Sequence, residues 1–253
     1  MKPPFKKKHG AKGSANAAAV RQMQAKVGEG VALHQKGQLA QAREIYRQIL
    51  EAQPQHFDAL HLSGVIAAQT KDPEQAVDLI GKATKINPGN AAAFSNLGNA
   101  LQSLKKHSAA IESYDRAIAL KPDYAEAHNN RGNSLHDMNE PRAALASFDR
   151  AIAIKPDYAE AHNNRGNALQ DLGQLDLALA SYDQAIALNA TFAEAYNNRG
   201  NALRALNQNG EAIKSFDKAI ALNQAYAEAH NNRGNAQQDL RQHVAAIGSY
   251  DRA

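Results

Sequence analysis

The sequence predicts an all-α solenoid, a stack of antiparallel helix pairs. Three observations predict it. The phrase AEAHNNRGN at Ala125 returns almost unchanged at Ala159, Ala193 and Ala227, each time after 34 residues. From Met23 the period runs without a gap through repeats 23–56, 57–90, 91–124, 125–158, 159–192 and 193–226 and a shortened 227–253. Within a repeat, apolar and small residues recur at helical spacing twice, with a break between. A fixed period of this length marks one supersecondary unit stacked on copies of itself.

Each element follows from the repeat. In 125–158 the first helix carries Ala127, Ser134, Leu135 and Met138, and the second carries Ala144, Leu145, Phe148, Ala151 and Ile152. Between them DMNEP (Asp137–Pro141) interrupts the pattern, and Pro141 suits the opening of the second helix because its missing N–H is unneeded there. Position 8 of every repeat is glycine (Gly30, Gly64, Gly98, Gly132, Gly166, Gly200, Gly234) and position 20 is alanine (Ala42 through Ala246). A helical glycine costs about 1 kcal/mol of propensity, so a close approach of the alanine at position 20 is the expected compensation. Position 24 is aromatic (Tyr46, Tyr114, Phe148, Tyr182, Phe216, Tyr250) except for Ile80, and proline at 32 (Pro54, Pro88, Pro122, Pro156) ends the second helix.

Composition narrows the function. The 253 residues contain no Cys, so thiolate metal sites and disulfides are excluded. The net charge of +4 is uneven. Residues 1–22 hold Lys2, Lys6, Lys7, Lys8, Lys12 and Arg21 and no acid, leaving 23 of the 29 basic residues against all 25 acids in the remainder. The repeats are therefore near neutral, unlike a body built for nucleic acid. Residues 1–22 read as a basic disordered tail, either a solvated extension or a hook for anionic lipid or nucleic acid, the solvated extension being favoured. No apolar run is long enough to cross a bilayer or to serve as a secretory leader, and a cytoplasmic location is expected. No HExxH, CxxC, carboxylate cluster or GxxxxGK[ST] loop occurs, so neither enzyme chemistry, cofactor nor metal is expected.

The recurring glycine, alanine, aromatic and proline positions resemble the tetratricopeptide repeat family over about nine-tenths of the chain. The resemblance implies a right-handed superhelix (a TPR α-solenoid) whose first helices line its inner surface, where members bind peptides. Position 6 is asparagine in five successive repeats (Asn96, Asn130, Asn164, Asn198, Asn232), and position 5 adds Asn129, Asn163, Asn197 and Asn231. A carboxamide both donates and accepts, so a row of them at about 10 Å steps can hold an extended polypeptide by its backbone. Intra-repeat contacts are the alternative, above all for position 9 (Asn99, Asn133, Asn167, Asn201, Asn235). The expected partner is a protein or peptide in extended conformation, with no nucleic acid and no membrane.

Position 7 departs from the family pattern. Arg131, Arg165, Arg199 and Arg233 replace its leucine, and the preceding repeat then carries aspartate at position 25 (Asp115, Asp149, Asp183, Asp217). Leu97 instead follows Gly81. Inter-repeat Arg–Asp pairs are predicted. His128, His162 and His230 exchange with Phe94 and Tyr196 at position 4, which argues for packing. Family members that clamp chaperone tails use lysine at position 5; Val27, His61, Ser95 and the asparagines exclude that clamp here.

The opening repeats also resemble those of bacterial O-linked N-acetylglucosamine transferase-like proteins, in which an asparagine ladder at position 6 holds protein substrates. Gly28 and Leu62 break that ladder. The alternative function is thus the recognition arm of such a glycosyltransferase, without its catalytic domain. The repeat stops at position 27, inside a second helix, which suggests a piece of a longer array and a third reading, self-association through an uncapped C-terminal end.

Overall fold

The computed structural model describes residues 10–253, which form fourteen helices and no strand. They are α1 (Gly10–Gln35), α2 (Leu39–Ala52), α3 (Phe57–Gln69), α4 (Pro73–Ile86), α5 (Ala91–Ser103), α6 (His107–Leu120), α7 (Ala125–Asp137), α8 (Pro141–Ile154), α9 (Ala159–Asp171), α10 (Leu175–Leu188), α11 (Ala193–Ala205), α12 (Asn209–Leu222), α13 (Ala227–Asp239) and α14 (His243–Tyr250). The chain forms two compact units, Met1–Lys106 and His107–Ala253. In each, a first helix packs on its own second helix, and that second helix on the next first helix.

The expected tail boundary shifts. α1 begins at Gly10, so residues 10–22 extend the first helix instead of preceding it. The alanines of AKGSANAAAV favour helix, and propagation from a formed helix needs no new nucleus. Residues 1–9 of the expected tail lie outside the described residues.

In the first unit the core gathers Ala42, Tyr46, Ile49, Ala59 and Ile66, then Ala67, Ala76, Ile80 and Ala100. In the second it repeats three times: Leu135, Ala144, Phe148 and Ala168; Leu169, Ala178, Tyr182 and Ala202; Leu203, Ala212, Phe216 and Ala236. One large side chain at position 24, a ring or in one case Ile80, sits among alanines in each of these clusters. The glycine at position 8 serves that side chain. A Cβ on Gly132 would stand 2.5 Å from Cε1 of Phe148, and one on Gly200 or Gly234 would run into Phe216 or Tyr250 in the same way. The expectation that this glycine admits the alanine at position 20 is corrected. The nearest partner is the side chain at 24, a ring in most repeats and Ile80 at Gly64, where the backbone oxygen of Ala76 at position 20 would also lie 3.3 Å from the added Cβ.

The second helices α2, α4, α6, α8, α10 and α12 all end at position 30, whether or not proline follows. Where Ala190 and Gln224 replace it, an asparagine side chain closes the turn: Asn189 Oδ1 accepts from the Thr191 N–H at 3.1 Å, and Asn223 Oδ1 from the Ala225 N–H at 3.2 Å. The same Asx turn also stands beside Pro88, where Asn87 Oδ1 accepts from the Gly89 N–H at 3.2 Å.

First helices end on a left-handed residue at position 15 in every repeat: Gly37, Lys71, Lys105, Asn139, Gly173, Asn207 and Arg241. The following N–H reaches back to the helix, as in Lys106 N–H to Leu101 O at 3.0 Å, which is the Schellman closure. Lys105 and Arg241 have φ of 56° and 60°, strained for a side chain with a Cβ. Lys105→Gly and Arg241→Gly should each raise stability by about 0.5–1 kcal/mol, read as a higher urea midpoint with an unchanged slope.

Candidate functional site

The site is built on the first helices of the second unit, α7, α9, α11 and α13, each of which touches the next. Positions 2, 6, 9 and 13 fall on one stripe of a 3.6-residue helix. The stripe reads Glu126, Asn130, Asn133, Asp137 on α7; Glu160, Asn164, Asn167, Asp171 on α9; Glu194, Asn198, Asn201, Ala205 on α11; and Glu228, Asn232, Asn235, Asp239 on α13. Its ends are exposed and its asparagines part-exposed.

Position 5 turns inward. Asn129, Asn163 and Asn197 are 0% exposed, and a side chain with no accessible surface meets no ligand. These three leave the candidate site; Asn231, in the last repeat, is exposed. Positions 5 and 6 lie about 100° apart around a helix, so one faces the open side while the other faces the following first helix.

The buried amides join repeats. Asn164 Nδ2 donates to Asn129 Oδ1, Asn198 Nδ2 to Asn163 Oδ1 and Asn232 Nδ2 to Asn197 Oδ1, all at 3.1 Å. In the first unit Asn96 Nδ2 follows the same rule, donating to His61 Nε2 at 2.9 Å. Burial pushes the His61 imidazole pKa down, with Asp58 opposing, which suits a neutral ring whose Nε2 accepts. Onward, Asn163 Nδ2 donates to Glu194 at 3.2 Å and Asn197 Nδ2 to Glu228 at 3.0 Å. Each of these amides therefore fixes two side chains of the next helix's stripe, at positions 2 and 6.

Position 9 is partly tied to the core. Tyr182 Oη donates to Asn167 Oδ1 and Tyr250 Oη to Asn235 Oδ1, both at 2.9 Å. Asn133 Oδ1 accepts from Asn164 Nδ2 at 3.0 Å. A hollow of about 500 Å³ opens where Gln170, Asn201, Arg204, Ala205, Asn207 and Asp239 meet.

The comparisons match this architecture. A TPR repeat family model covers residues 99–139, 132–173, 166–203 and 200–240, and a tetratricopeptide repeat model covers residues 33–97. The chain belongs to the tetratricopeptide repeat family. No curated protein matches it. Among solved structures it is similar to PilW, a widely conserved type IV pilus biogenesis factor, at 27% identity and a TM-score of 0.71 over 76% of this chain and 90% of that one. It is also similar to MamA, at 27% identity and a TM-score of 0.60 over 65% of this chain and 96% of that one. A tetratricopeptide repeat protein from Parabacteroides merdae shares the fold at 16% identity, with a TM-score of 0.74 and 91% of each chain covered.

Within this tetratricopeptide array the arginines at position 7 face away from the stripe. Arg131, Arg165 and Arg199 each donate Nε–H to the preceding repeat's Asp115, Asp149 and Asp183 at 2.6–2.7 Å, and Arg233 donates Nη1–H to Asp217 at 2.8 Å. Every arginine also donates to a serine at position 23 of its own repeat: Ser147, Ser181, Ser215 and Ser249. The recurrence of that serine is a sequence signal that the pairing argument left unused. The aspartates are about half exposed, which screens the charge term. In a double-mutant cycle of Arg165→Ala and Asp149→Ala, a coupling of about 0.5–1 kcal/mol is expected. Ser181→Ala should cost about 1 kcal/mol by the loss of its hydrogen bond.

A second inter-repeat row joins position 12 to position 13 of the next repeat. His34 meets Gln69 at 2.9 Å, His136 meets Asp171 at 2.7 Å and Arg204 meets Asp239 at 2.7 Å. Its members differ in residue type, so identity alone did not reveal it. Among the described residues no group of His, Cys, Asp or Glu could hold a metal ion, and no helix is long and apolar enough to cross a membrane.

Proposed function

We propose that this array is a protein-interaction scaffold that holds an extended polypeptide across the first-helix stripe of α7, α9, α11 and α13. The carrying observation is the row of position-6 carboxamides, Asn130, Asn164, Asn198 and Asn232, part-exposed on adjoining helices. Asn198 and Asn232 each have one N–H committed to a buried neighbour. That anchor fixes the rotamer, so an arriving peptide orders little side chain. The carboxamide oxygen then accepts from a peptide N–H, and each net bond contributes about 1 kcal/mol. Several rungs are needed, which is why the ladder spans repeats. Asn96 carries the same motif in the first unit.

The likeness to PilW, described as a pilus biogenesis factor, supports a role in protein assembly. The recognition-arm reading, with a glycosyltransferase domain elsewhere in a longer protein, rests on the resemblance of the opening repeats alone.

Immobilised protein carrying Asn130→Ala, Asn164→Ala and Asn198→Ala together should capture at least tenfold less partner from solution than the unchanged chain, with helical content retained in circular dichroism. Undiminished capture by this folded variant would rule out the ladder.

A further inference from the structure

The acidic end of the stripe has a feature that the asparagine ladder does not use. Glu126, Glu160, Glu194 and Glu228 form a row at position 2, and all four are exposed. Between them, at position 34 of each repeat, stand the half-buried rings of Tyr158, Phe192 and Tyr226. The row therefore alternates carboxylate and aromatic: Glu126, Tyr158, Glu160, Phe192, Glu194, Tyr226, Glu228.

Two observations mark it as a built surface. Wholly buried amides fix the carboxylates, Asn163 holding Glu194 and Asn197 holding Glu228. A glutamate kept exposed for solubility needs no such anchor. The chain's own lysines also show what the rings accept: Lys121 Nζ lies 4.9 Å from the centre of Tyr124, and Lys155 Nζ lies 4.8 Å from that of Tyr158. In the next two repeats position 31 is Asn189 or Asn223, which bring no ammonium to Phe192 and Tyr226. The phenols register the same acidic field. Burial first, then the flanking glutamates, push Tyr158 and Tyr226 up to about 12. The arginines of these helices are engaged: Arg131, Arg165, Arg199 and Arg233 with aspartates of the preceding helix, and Arg204 with Asp239.

We infer that the glutamate–aromatic row selects cationic segments, so that the polypeptide held on the stripe is one rich in lysine or arginine. The inference rests on the proposed binding along the stripe and names its partner class. Carboxylates and ring faces both attract ammonium and guanidinium groups. Repeats about 10 Å apart match about three residues of extended chain. A basic residue at every third position would therefore meet each successive repeat. The opposite end of the stripe adds Asp137, Asp171 and Asp239, which already face His107, His136 and Arg204.

The test is fluorescence anisotropy of the full chain with labelled twelve-residue peptides. One carries lysine at every third position among serines, a second is all serine, and a third carries glutamate in place of lysine. The lysine peptide should bind at least tenfold tighter than the serine peptide, and the glutamate peptide weakest. Replacing Glu126, Glu160, Glu194 and Glu228 together by glutamine, which keeps an acceptor for the buried amides, should abolish that preference. Replacing Glu44, Glu74, Glu112 and Glu211 on second helices by glutamine should leave it within about twofold, the ordinary effect of screened remote charge. Equal binding of the three peptides, still weakened by Asn164→Ala and Asn198→Ala, overturns the selection and leaves the stripe as the binding face. Peptide binding indifferent to those asparagines, or no binding at all, overturns both. A lysine preference that survives the first quadruple change overturns the assignment to this row.

Discussion

Gly166→Ala should destabilise this array, although alanine is the better helix former. In the free energy of the isolated helix the change gains about 1 kcal/mol. In the folded chain the new Cβ would lie 2.7 Å from Cδ1 of Tyr182, whose side chain is fully buried and whose hydroxyl is held by Asn167 and Gln170. The ring cannot swing aside without losing those bonds, so overpacking of about 1–3 kcal/mol outweighs the propensity gain. Gly166→Val, adding two further methyl groups, should cost more still. Gly81→Ala supplies the internal contrast. Gly81 lies within α4 with nothing near its absent Cβ, and there the same substitution should stabilise by about 1 kcal/mol. Thermal melts of the two variants should therefore move in opposite directions. Movement in the same direction would show that the ring at position 24 does not set the glycine at position 8.

Asn163→Ala, like Asn197→Ala, should be costlier than changing an exposed repeated asparagine. The Asn163 side chain has no exposed surface, accepts from Asn198 and donates to Glu194. Alanine leaves those two groups without their partner at the junction and opens a gap beside them. The expected loss is about 2–3 kcal/mol, against a few tenths for Asn231→Ala, where the equivalent side chain is exposed. Denaturant midpoints of the two variants separate the buried from the open role directly. Near-equal midpoints would mean that the buried amide relay contributes nothing.

Much of this architecture is legible in the sequence because a solenoid writes each contact several times. The Arg165–Asp149 pairing could be read from co-occurrence alone: arginine appears at position 7 only where the previous repeat offers aspartate, and the structure joins them at 2.7 Å. Three features resisted. A helical wheel places Asn163 and Asn164 on adjoining parts of one face, and only the position of the next first helix decides that Asn163 is covered. Spacing brings the second helix close to the glycine at position 8 but does not tell which of its side chains, at 20 or at 24, lies against it. The left-handed residue at position 15 is hidden because only Gly37 and Gly173 announce it, while Lys71, Lys105 and Arg241 carry the same φ without the usual residue.

The division between covered and open asparagines leads to the most direct measurement. With 15N-labelled protein and a saturating cationic peptide, the side-chain amide signals of Asn164, Asn198 and Asn232 should shift. Those of Asn129, Asn163 and Asn197 should stay within the small changes that neighbouring hydrogen bonds transmit. Shifts confined to second-helix residues such as Asp149, Asp183 and Ser181, with the position-6 amides unmoved, would contradict binding on the first-helix stripe.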